Sequence, residues 1–164
     1  MPTKIKMSLT EKSIDNALEK LTNYQNRLPE KAHELAKRLA DLGAEKVTFG
    51  FSTALYDGDK DVEVFVDETD TGFVIIAMGD PVAFIEFGVG VTFGAGHPYN
   101  DKFGMGPGTY PSDKGHWNDP NGWWVPISAG GFHTYGNPPN MPMYNTAKDL
   151  ANEIQRIALE VFHS

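Results

Sequence analysis

The chain contains no cysteine among its 164 residues. Disulfide bonds, thiolate metal sites and a cysteine nucleophile are therefore excluded, and the absence fits a protein made in a reducing cytoplasm. Long apolar runs are also missing. The longest, residues 73–78, is far below the roughly 20 residues that a membrane span needs. No apolar signal core follows the first residues, so we do not expect export by the usual signal.

Positive charge is scarce as well. The sequence has 14 Lys and Arg against 22 Asp and Glu, which gives a formal net charge of -8. This balance argues against a protein that binds nucleic acid by neutralising phosphates. A hydrophobic fraction of 40% and a charged fraction of 22% instead predict one globular domain with a real core.

Metal-binding patterns are incomplete. None of the five histidines has the spacing of a zinc site. Asp57, Asp59 and Asp61, with Glu68 further on, resemble the start of a calcium loop. The sixth position is Val62, however, where the sharp turn of such a loop requires glycine. A hairpin turn explains the same residues, and we expect neither a metal nor a cofactor.

Two alternatives involve the tryptophans. A wall-degrading hydrolase could pair Glu86 with Asp113 or Asp119, if the two carboxyl groups lay about 5 to 9 Å apart. The aromatic side chains that could stack on its sugars are Trp117, Trp123 and Trp124. Such residues are equally expected at a protein–protein contact, so a soluble adaptor or inhibitor that binds through Trp123 and Trp124 is the second alternative. No serine-hydrolase elbow or dinucleotide fingerprint is present.

Apolar residues at steps of three and four predict a helix over residues 8–42. Ser8 and Glu11 match a capping box, and Gly43 is a typical stop. Pro29 predicts either one kinked helix or two abutting helices. A single helix would be about 50 Å long at 1.5 Å per residue. We therefore expect part of its apolar stripe to face a neighbouring subunit.

Apolar and polar residues alternate at 47–51 and 62–67, and an apolar run follows at 72–78. These patterns predict three strands of a small antiparallel meander within residues 46–87. Residues 82–87 fit a strand or a short helix. A last amphipathic helix is predicted at about 143–162, within a C-terminal segment of 141–163. The predicted fold class is α+β, with an antiparallel sheet packed by a long N-terminal helix and a C-terminal helix.

Residues 88–140 differ in composition from the rest. They hold 12 of the 17 glycines, 7 of the 11 prolines and all three tryptophans. We predict a long loop arm with one short strand at 122–126, ordered in part only on assembly. Deleting residues 95–120 is expected to leave a folded domain.

Two stretches resemble a known family. The first, residues 82–90, carries Glu86-Phe87-Gly88. The second, residues 133–147, leads through Pro142, Met143 and Tyr144 into the final helix. Together they are similar to the gene-product-ten-like family of siphophage minor virion proteins, which comprises neck, head–tail joining and tail-completion proteins. The order of elements matches over nearly the whole chain.

The resemblance implies a non-enzymatic subunit of an oligomeric ring at the head–tail junction or tail terminus. Its partners would be further copies of itself, connector or head-completion proteins, and tail-tube or tail-terminator proteins. DNA would pass through the ring without tight binding, and no membrane is involved. The chain would lie in the virion neck or tail top, and in the host cytoplasm during assembly.

Glu86 has two interpretations within this picture. It could pair with a basic residue of the next subunit, or it could cap backbone N–H groups near residues 136–140 of its own chain. The residues expected at protein–protein contacts are Glu86, Phe87, Gly88, Trp117, Trp123, Trp124, Tyr135, Met143 and Tyr144.

Overall fold

The first helix, α1, runs from Glu11 to Ser52 in the computed structural model of the chain, which describes residues 8–108 and 118–163. Pro29 lies inside α1 and does not divide it, so the single-helix alternative is confirmed. The capping box is not formed. The N-cap residue is Thr10, without a side-chain cap, and the Ser8 N–H instead donates to the hydroxyl of Ser13 at 2.8 Å.

The prediction of a helix end at Gly43 and a strand at 47–51 is wrong. α1 continues for two and a half more turns. Val47 and Phe51, four residues apart, are each 1% exposed, whereas Phe49 between them is 68% exposed. A strand would place all three on one face, but a helix separates Phe49 from the other two. The apparent alternation is therefore a chance overlap with helical spacing.

Two strands, not three, form the main sheet. β1 (Glu63–Thr69) pairs antiparallel with β2 (Gly72–Met78), and Glu63 lies opposite Met78. A two-residue turn joins the strands, as is common in hairpins. Val64 and Ile75 pack with Val47 and Phe51 of α1 in the core. The α+β class is confirmed, with a smaller sheet than the sequence predicts.

The last helix, α4, extends from Pro142 to His163 and packs antiparallel on the second half of α1. Lys46 of α1 donates to Asp149 near the start of α4 at 2.9 Å, and this hydrogen bond raises the pKa of Lys46. Near the other end of α4, Lys31 donates to the carbonyl of Val161 at 2.6 Å. Residues 11–30 of α1 therefore extend past the end of α4.

The segment between the sheet and α4 holds several short elements. They are α2 (Val82–Phe87), α3 (Asn100–Phe103), β3 (Trp123–Trp124), a 3-10 turn (Ile127–Ala129) and β4 (His133–Thr134). Residues 82–87 thus adopt the helical alternative, and the predicted short strand at 122–126 is present as β3. β3 pairs with β4 in a second small hairpin. Within the described residues, no helix is long and apolar enough to cross a bilayer.

Residues 88–140 are not one separate arm. Val89 (3% exposed), His97 (5%) and Met105 (6%) are buried against the body. The stretch up to Met105 is therefore part of the folded domain. The most exposed large aromatic and aliphatic side chains of this stretch, Ile127 (93%), Trp124 (73%) and Tyr135 (56%), lie around β3 and β4.

Candidate functional site

Glu86 is a buried carboxylate that caps α4. It lies near the end of α2, and only 6% of the residue is exposed. Its Oε2 accepts the backbone N–H of Met143 at 2.9 Å, and its Oε1 accepts that of Tyr144 at 3.0 Å. These N–H groups belong to the first turn of α4, which has no helical acceptors for them. A negative charge is also stabilised at that end of a helix.

His97 is the second partner of this carboxylate. Its Nε2 lies 3.1 Å from Glu86 Oε1, and the histidine side chain is only 2% exposed. The backbone N–H of Tyr99 donates to His97 Nδ1 at 3.1 Å. Because Nδ1 accepts a hydrogen bond, the proton of the neutral ring is on Nε2, which donates it to Glu86. Each oxygen of Glu86 thus has a donor from its own chain.

An aromatic cluster surrounds the Glu86–His97 pair. The ring of His97 contacts Phe87 at a centroid distance of 4.3 Å and Tyr144 at 5.6 Å. Tyr99 meets Tyr144 edge-on at 5.6 Å, and Phe103 meets Phe87 at 5.5 Å. These contacts exclude water from the pair and join α2, α3 and α4. The Glu-Phe-Gly motif therefore lies at the centre of a packed cluster. We call this cluster, Glu86 and His97 with the surrounding Phe87, Tyr99, Phe103 and Tyr144, the packing centre.

Two asparagines tie the other end of the segment to the same centre. Asn137 and Val89 exchange backbone hydrogen bonds of 2.9 and 3.1 Å, and the Asn137 side chain donates to the Phe84 carbonyl at 2.8 Å. Asn140 donates its backbone N–H to Ile85 and accepts the N–H of Leu55 at 2.7 Å. We call the junction of residues 88–90 with residues 135–137, which the Val89–Asn137 backbone pair closes, the loop base.

Glycines allow the loop base to close. A Cβ on Gly136 would collide with the carbonyl oxygen of Val89, and one on Gly90 would collide with the carbonyl of Tyr135. Both glycines have positive φ, 99° and 97°, which other residues rarely adopt. Gly88 ends α2 in the same way, at φ 73°. These glycines are required by close approach of two backbone segments.

Past the loop base, the β3–β4 hairpin presents aromatic side chains to solvent. Trp124 is 73% exposed and Tyr135 is 56% exposed. His133 lies between them, with ring centroids 5.2 Å from Trp124 and 5.0 Å from Tyr135. Ile127, in the turn of the hairpin, is 93% exposed. We call these four residues the hairpin face. Large exposed apolar side chains grouped in this way are typical of interaction sites.

A second exposed apolar surface lies on the part of α1 that extends past α4. Ile14, Leu18, Leu21 and Leu28 are 38, 56, 52 and 37% exposed, and we call them the α1 stripe. They follow one another at helical spacing on one side of α1. Most residues of 11–30 are exposed, apart from Ala17, which is buried, and Ser13 and Tyr24, which are half-buried.

The predicted contact residues therefore fall into two groups. Glu86 and Gly88 are buried, and Phe87, Trp123, Met143 and Tyr144 are half-buried, all within or beside the packing centre or the cleft described below. Trp124 and Tyr135 are exposed on the hairpin face. Trp117 lies outside the described residues.

The intramolecular interpretation of Glu86 is the one that the geometry matches. The capped N–H groups are those of Met143 and Tyr144, three and four residues beyond the end of the predicted range 136–140. Sequence reasoning missed His97 as the partner, because a histidine between Gly96 and Pro98 carries no signal of burial. The Asn137 and Asn140 contacts were missed for the same reason.

The carboxylate pair of a hydrolase has little geometric basis in the described residues. Both oxygens of Glu86 already accept hydrogen bonds from the protein. Asp119 accepts the N–H of Asn121 at 2.8 Å, which closes a local turn. Asp113 lies outside the described residues. Across residues 8–108 and 118–163, no three acidic or histidine side chains are grouped as metal ligands.

Comparison with known proteins yields no relative. No protein-family model, no curated protein and no solved structure matches the chain.

Proposed function

We propose that the chain is a structural subunit of a tailed-phage virion, which forms an oligomeric ring at the head–tail junction or tail terminus. The observation that carries the proposal is the hairpin face, with Trp124 and Tyr135 exposed on a hairpin whose base is fixed by the packing centre. A rigid support lowers the entropic cost of presenting aromatic anchors to another protein.

A ring needs two different surfaces on each subunit. Head-to-tail contacts join one patch of a subunit to another patch of the next, and they close into a ring when the rotation allows. The hairpin face and the α1 stripe are two such patches. They lie toward opposite ends of α1, because β3 lies across a shared cleft from residues 56–59, which follow the C-terminal end of the helix, whereas the stripe lies in its N-terminal half.

The resemblance of the Glu86-Phe87-Gly88 motif and of the Pro142 helix start to the gene-product-ten-like family supports the same function. In this chain the motif and the helix start are in direct contact, through Glu86 and the first turn of α4. Because these two motifs are far apart in sequence but meet in space, we expect both to be needed for the same local structure.

A complementation assay tests the proposal. In a phage that carries this gene, a nonsense mutation should yield lysates in which filled heads and tails are unjoined, as seen by negative-stain electron microscopy. Expression of the wild-type chain should restore joined particles, and Trp124→Ser with Tyr135→Ser should not. Joined, infectious particles from the doubly substituted chain would refute the role of the hairpin face.

The hydrolase alternative has its own readout. Purified Glu86→Gln and Asp119→Asn variants, assayed for cell-wall lysis beside the wild type, should all be inactive. Lysis by the purified wild type that Asp119→Asn abolishes would replace the structural function with an enzymatic one, whereas loss in Glu86→Gln alone would also follow from its destabilised fold. The adaptor alternative differs by predicting a monomer that binds one foreign protein through Trp123 and Trp124.

A further inference from the structure

An acidic, aromatic cleft lies beside the hairpin face. It has a volume of about 880 Å³ and is bounded by residues 56–59, the start of α2 and the β3–β4 hairpin. Its aromatic wall consists of Tyr56, Phe84, Trp123, Trp124 and Phe132. Tyr56 and Phe84 stack with their ring centroids 6.4 Å apart. The packing centre does not use this cleft.

Among the described residues, three carboxylates stand along the edge of the cleft, those of Asp57, Asp59 and Asp80, and all three residues are exposed. None of the residues known to line the cleft is lysine or arginine. The ion pairs found among the described residues do not include any of these aspartates. Carboxylates beside aromatic faces favour a cationic occupant, through charge attraction and cation–π contacts.

The chain itself contains a matching segment. Residues 2–7 read Pro-Thr-Lys-Ile-Lys-Met, with Lys4 and Lys6 and no acidic residue. In an extended conformation Lys4 and Lys6 point to one side and Ile5 and Met7 to the other. Such a segment can present ammonium groups to the carboxylates and apolar side chains to the aromatic wall at once.

The cleft of the same subunit is out of reach of this segment. α1 has 42 residues and spans about 63 Å at 1.5 Å per residue. The cleft begins at Tyr56, just past the C-terminal end of α1, whereas residues 2–7 precede its N-terminal end. The nine residues from Pro2 to Thr10 extend at most about 32 Å. Residues 2–7 can therefore reach such a cleft only on another copy of the chain.

We propose that the acidic cleft of one subunit binds residues 2–7 of a second copy, with Lys4 and Lys6 against Asp57, Asp59 and Asp80. This inference rests on the proposed self-assembly and names the partner of one contact. The contact is heterologous, since cleft and segment are different surfaces, and it extends the hairpin face. It also provides a local electrostatic attraction between subunits that would otherwise repel, since each carries a formal net charge of -8.

A peptide titration tests the contact. The receptor is the full chain with Lys4→Gln and Lys6→Gln, so that its own segment does not compete. A synthetic peptide of residues 1–10 is titrated against it by calorimetry. Saturable binding is expected, with affinity about tenfold weaker for the Asp57→Asn, Asp59→Asn, Asp80→Asn receptor and weaker still in 0.5 M salt. Absence of binding, or binding unchanged in the asparagine receptor, overturns the inference.

Two controls sharpen the titration. The peptide with Lys4→Glu and Lys6→Glu should not bind. Tetramethylammonium ion should bind at least tenfold more weakly than the wild-type peptide, because it lacks the apolar contacts of Ile5 and Met7. Equal binding of that ion means that the cleft recognises a small cation, and the second-copy assignment is then wrong.

Charge reversal tests the contact in the full chain. A Lys4→Glu, Lys6→Glu variant and an Asp57→Lys, Asp59→Lys, Asp80→Lys variant should each sediment as smaller species than wild type. Their mixture should recover wild-type assembly, since both new contacts join opposite charges. Urea unfolding midpoints within experimental error of wild type would show that the exposed substitutions leave the fold intact. A mixture that stays dissociated contradicts the inference.

Failure of this inference can be told from failure of the proposed function. If the peptide does not bind and the hairpin-face variant still leaves heads and tails unjoined, only the cleft assignment is wrong. If the hairpin-face variant joins heads to tails normally, the proposed function fails whatever the peptide does.

Discussion

Lys31 and Val161 are joined by a buried hydrogen bond from the lysine ammonium to the last turn of α4. Together with Glu86 at the first turn, this contact gives α4 a carboxylate at its N-terminal end and an ammonium at its C-terminal end, each from another element. Both charges complement the helix dipole and satisfy backbone groups that the helix itself leaves free.

Replacing Glu86 by Gln should destabilise the domain by about 3 kcal/mol. The amide keeps the shape, but its NH2 group replaces one of the two accepting oxygens. It therefore opposes either the N–H of Met143 or those of Tyr144 and His97. Urea unfolding followed by circular dichroism measures the loss. The matched control is Glu19→Gln on the exposed part of α1, which should change stability by less than about 0.5 kcal/mol. A loss below 1 kcal/mol for Glu86→Gln would contradict the capping role.

Replacing Lys31 by Met should cost about 1–2 kcal/mol. Methionine retains much of the apolar stem, so the change isolates the ammonium group that binds the Val161 carbonyl. Lys37→Met serves as the control, since Lys37 is exposed and pairs with Asp41 one helical turn away. Equal losses in the free energy of unfolding for the two variants would show that the buried hydrogen bond of Lys31 does not stabilise the domain.

The loop base can be tested with one pair of glycines. Gly136→Ala combines strained backbone with a collision against Val89, and should cost about 4 kcal/mol. Gly104→Ala also has positive φ, 64°, but its new Cβ meets nothing within 4 Å. It should cost about 1–2 kcal/mol. Thermal unfolding of both variants separates the cost of backbone strain from the cost of the collision with Val89. Similar unfolding temperatures for the two variants would mean that residue 136 and Val89 are not tightly packed.

A mixing experiment distinguishes head-to-tail assembly from symmetric pairing. Leu18→Ser with Leu21→Ser removes much of the α1 stripe, and Trp124→Ser with Tyr135→Ser removes much of the hairpin face. If the two surfaces meet, each doubly substituted chain should be monomeric alone. The two together should form dimers and nothing larger, because the mixture retains one intact contact. Sedimentation velocity provides the measurement.

The outcomes of mixing exclude one another. A pair that forms no dimer shows that the α1 stripe and the hairpin face do not bind each other. Full-size assemblies from the mixture would show that neither surface is needed. The free energy of unfolding should change by less than about 1 kcal/mol in either chain, since the replaced side chains are largely exposed.

The elements with strong periodicity were predictable from the sequence. Both long helices and the β1–β2 hairpin follow from local pattern alone, and the start of α4 at Pro142 lies one residue before the predicted 143. The end of α1 was not predictable, and Gly43 shows why. A Cβ there would collide with Ile75 and come within 2.9 Å of Leu150, so the glycine permits β2 and α4 to approach α1. That requirement arises from tertiary packing, which a local pattern does not contain.

The candidate site was predictable in part. The sequence identified Glu86, Trp124 and Tyr135 as notable, and an internal cap as one role of Glu86. It gave no sign that His97 completes the pair. The deletion of residues 95–120 removes His97 and Met105, both buried, and should therefore unfold the domain or weaken it severely. The prediction that the chain stays folded after this deletion does not agree with this packing.

Pro29 lies where α1 leaves the rest of the molecule, two residues before the anchored Lys31. Proline donates no hydrogen bond to the carbonyl one turn earlier, so the helix is least stiff at this position. Residues 11–30 of α1 can consequently bend at Pro29 relative to the rest of the helix. In the proposed ring, adjacent subunits can therefore meet over a range of angles while each interior stays unchanged, and the stiffer helix of a Pro29→Ala variant should narrow that range.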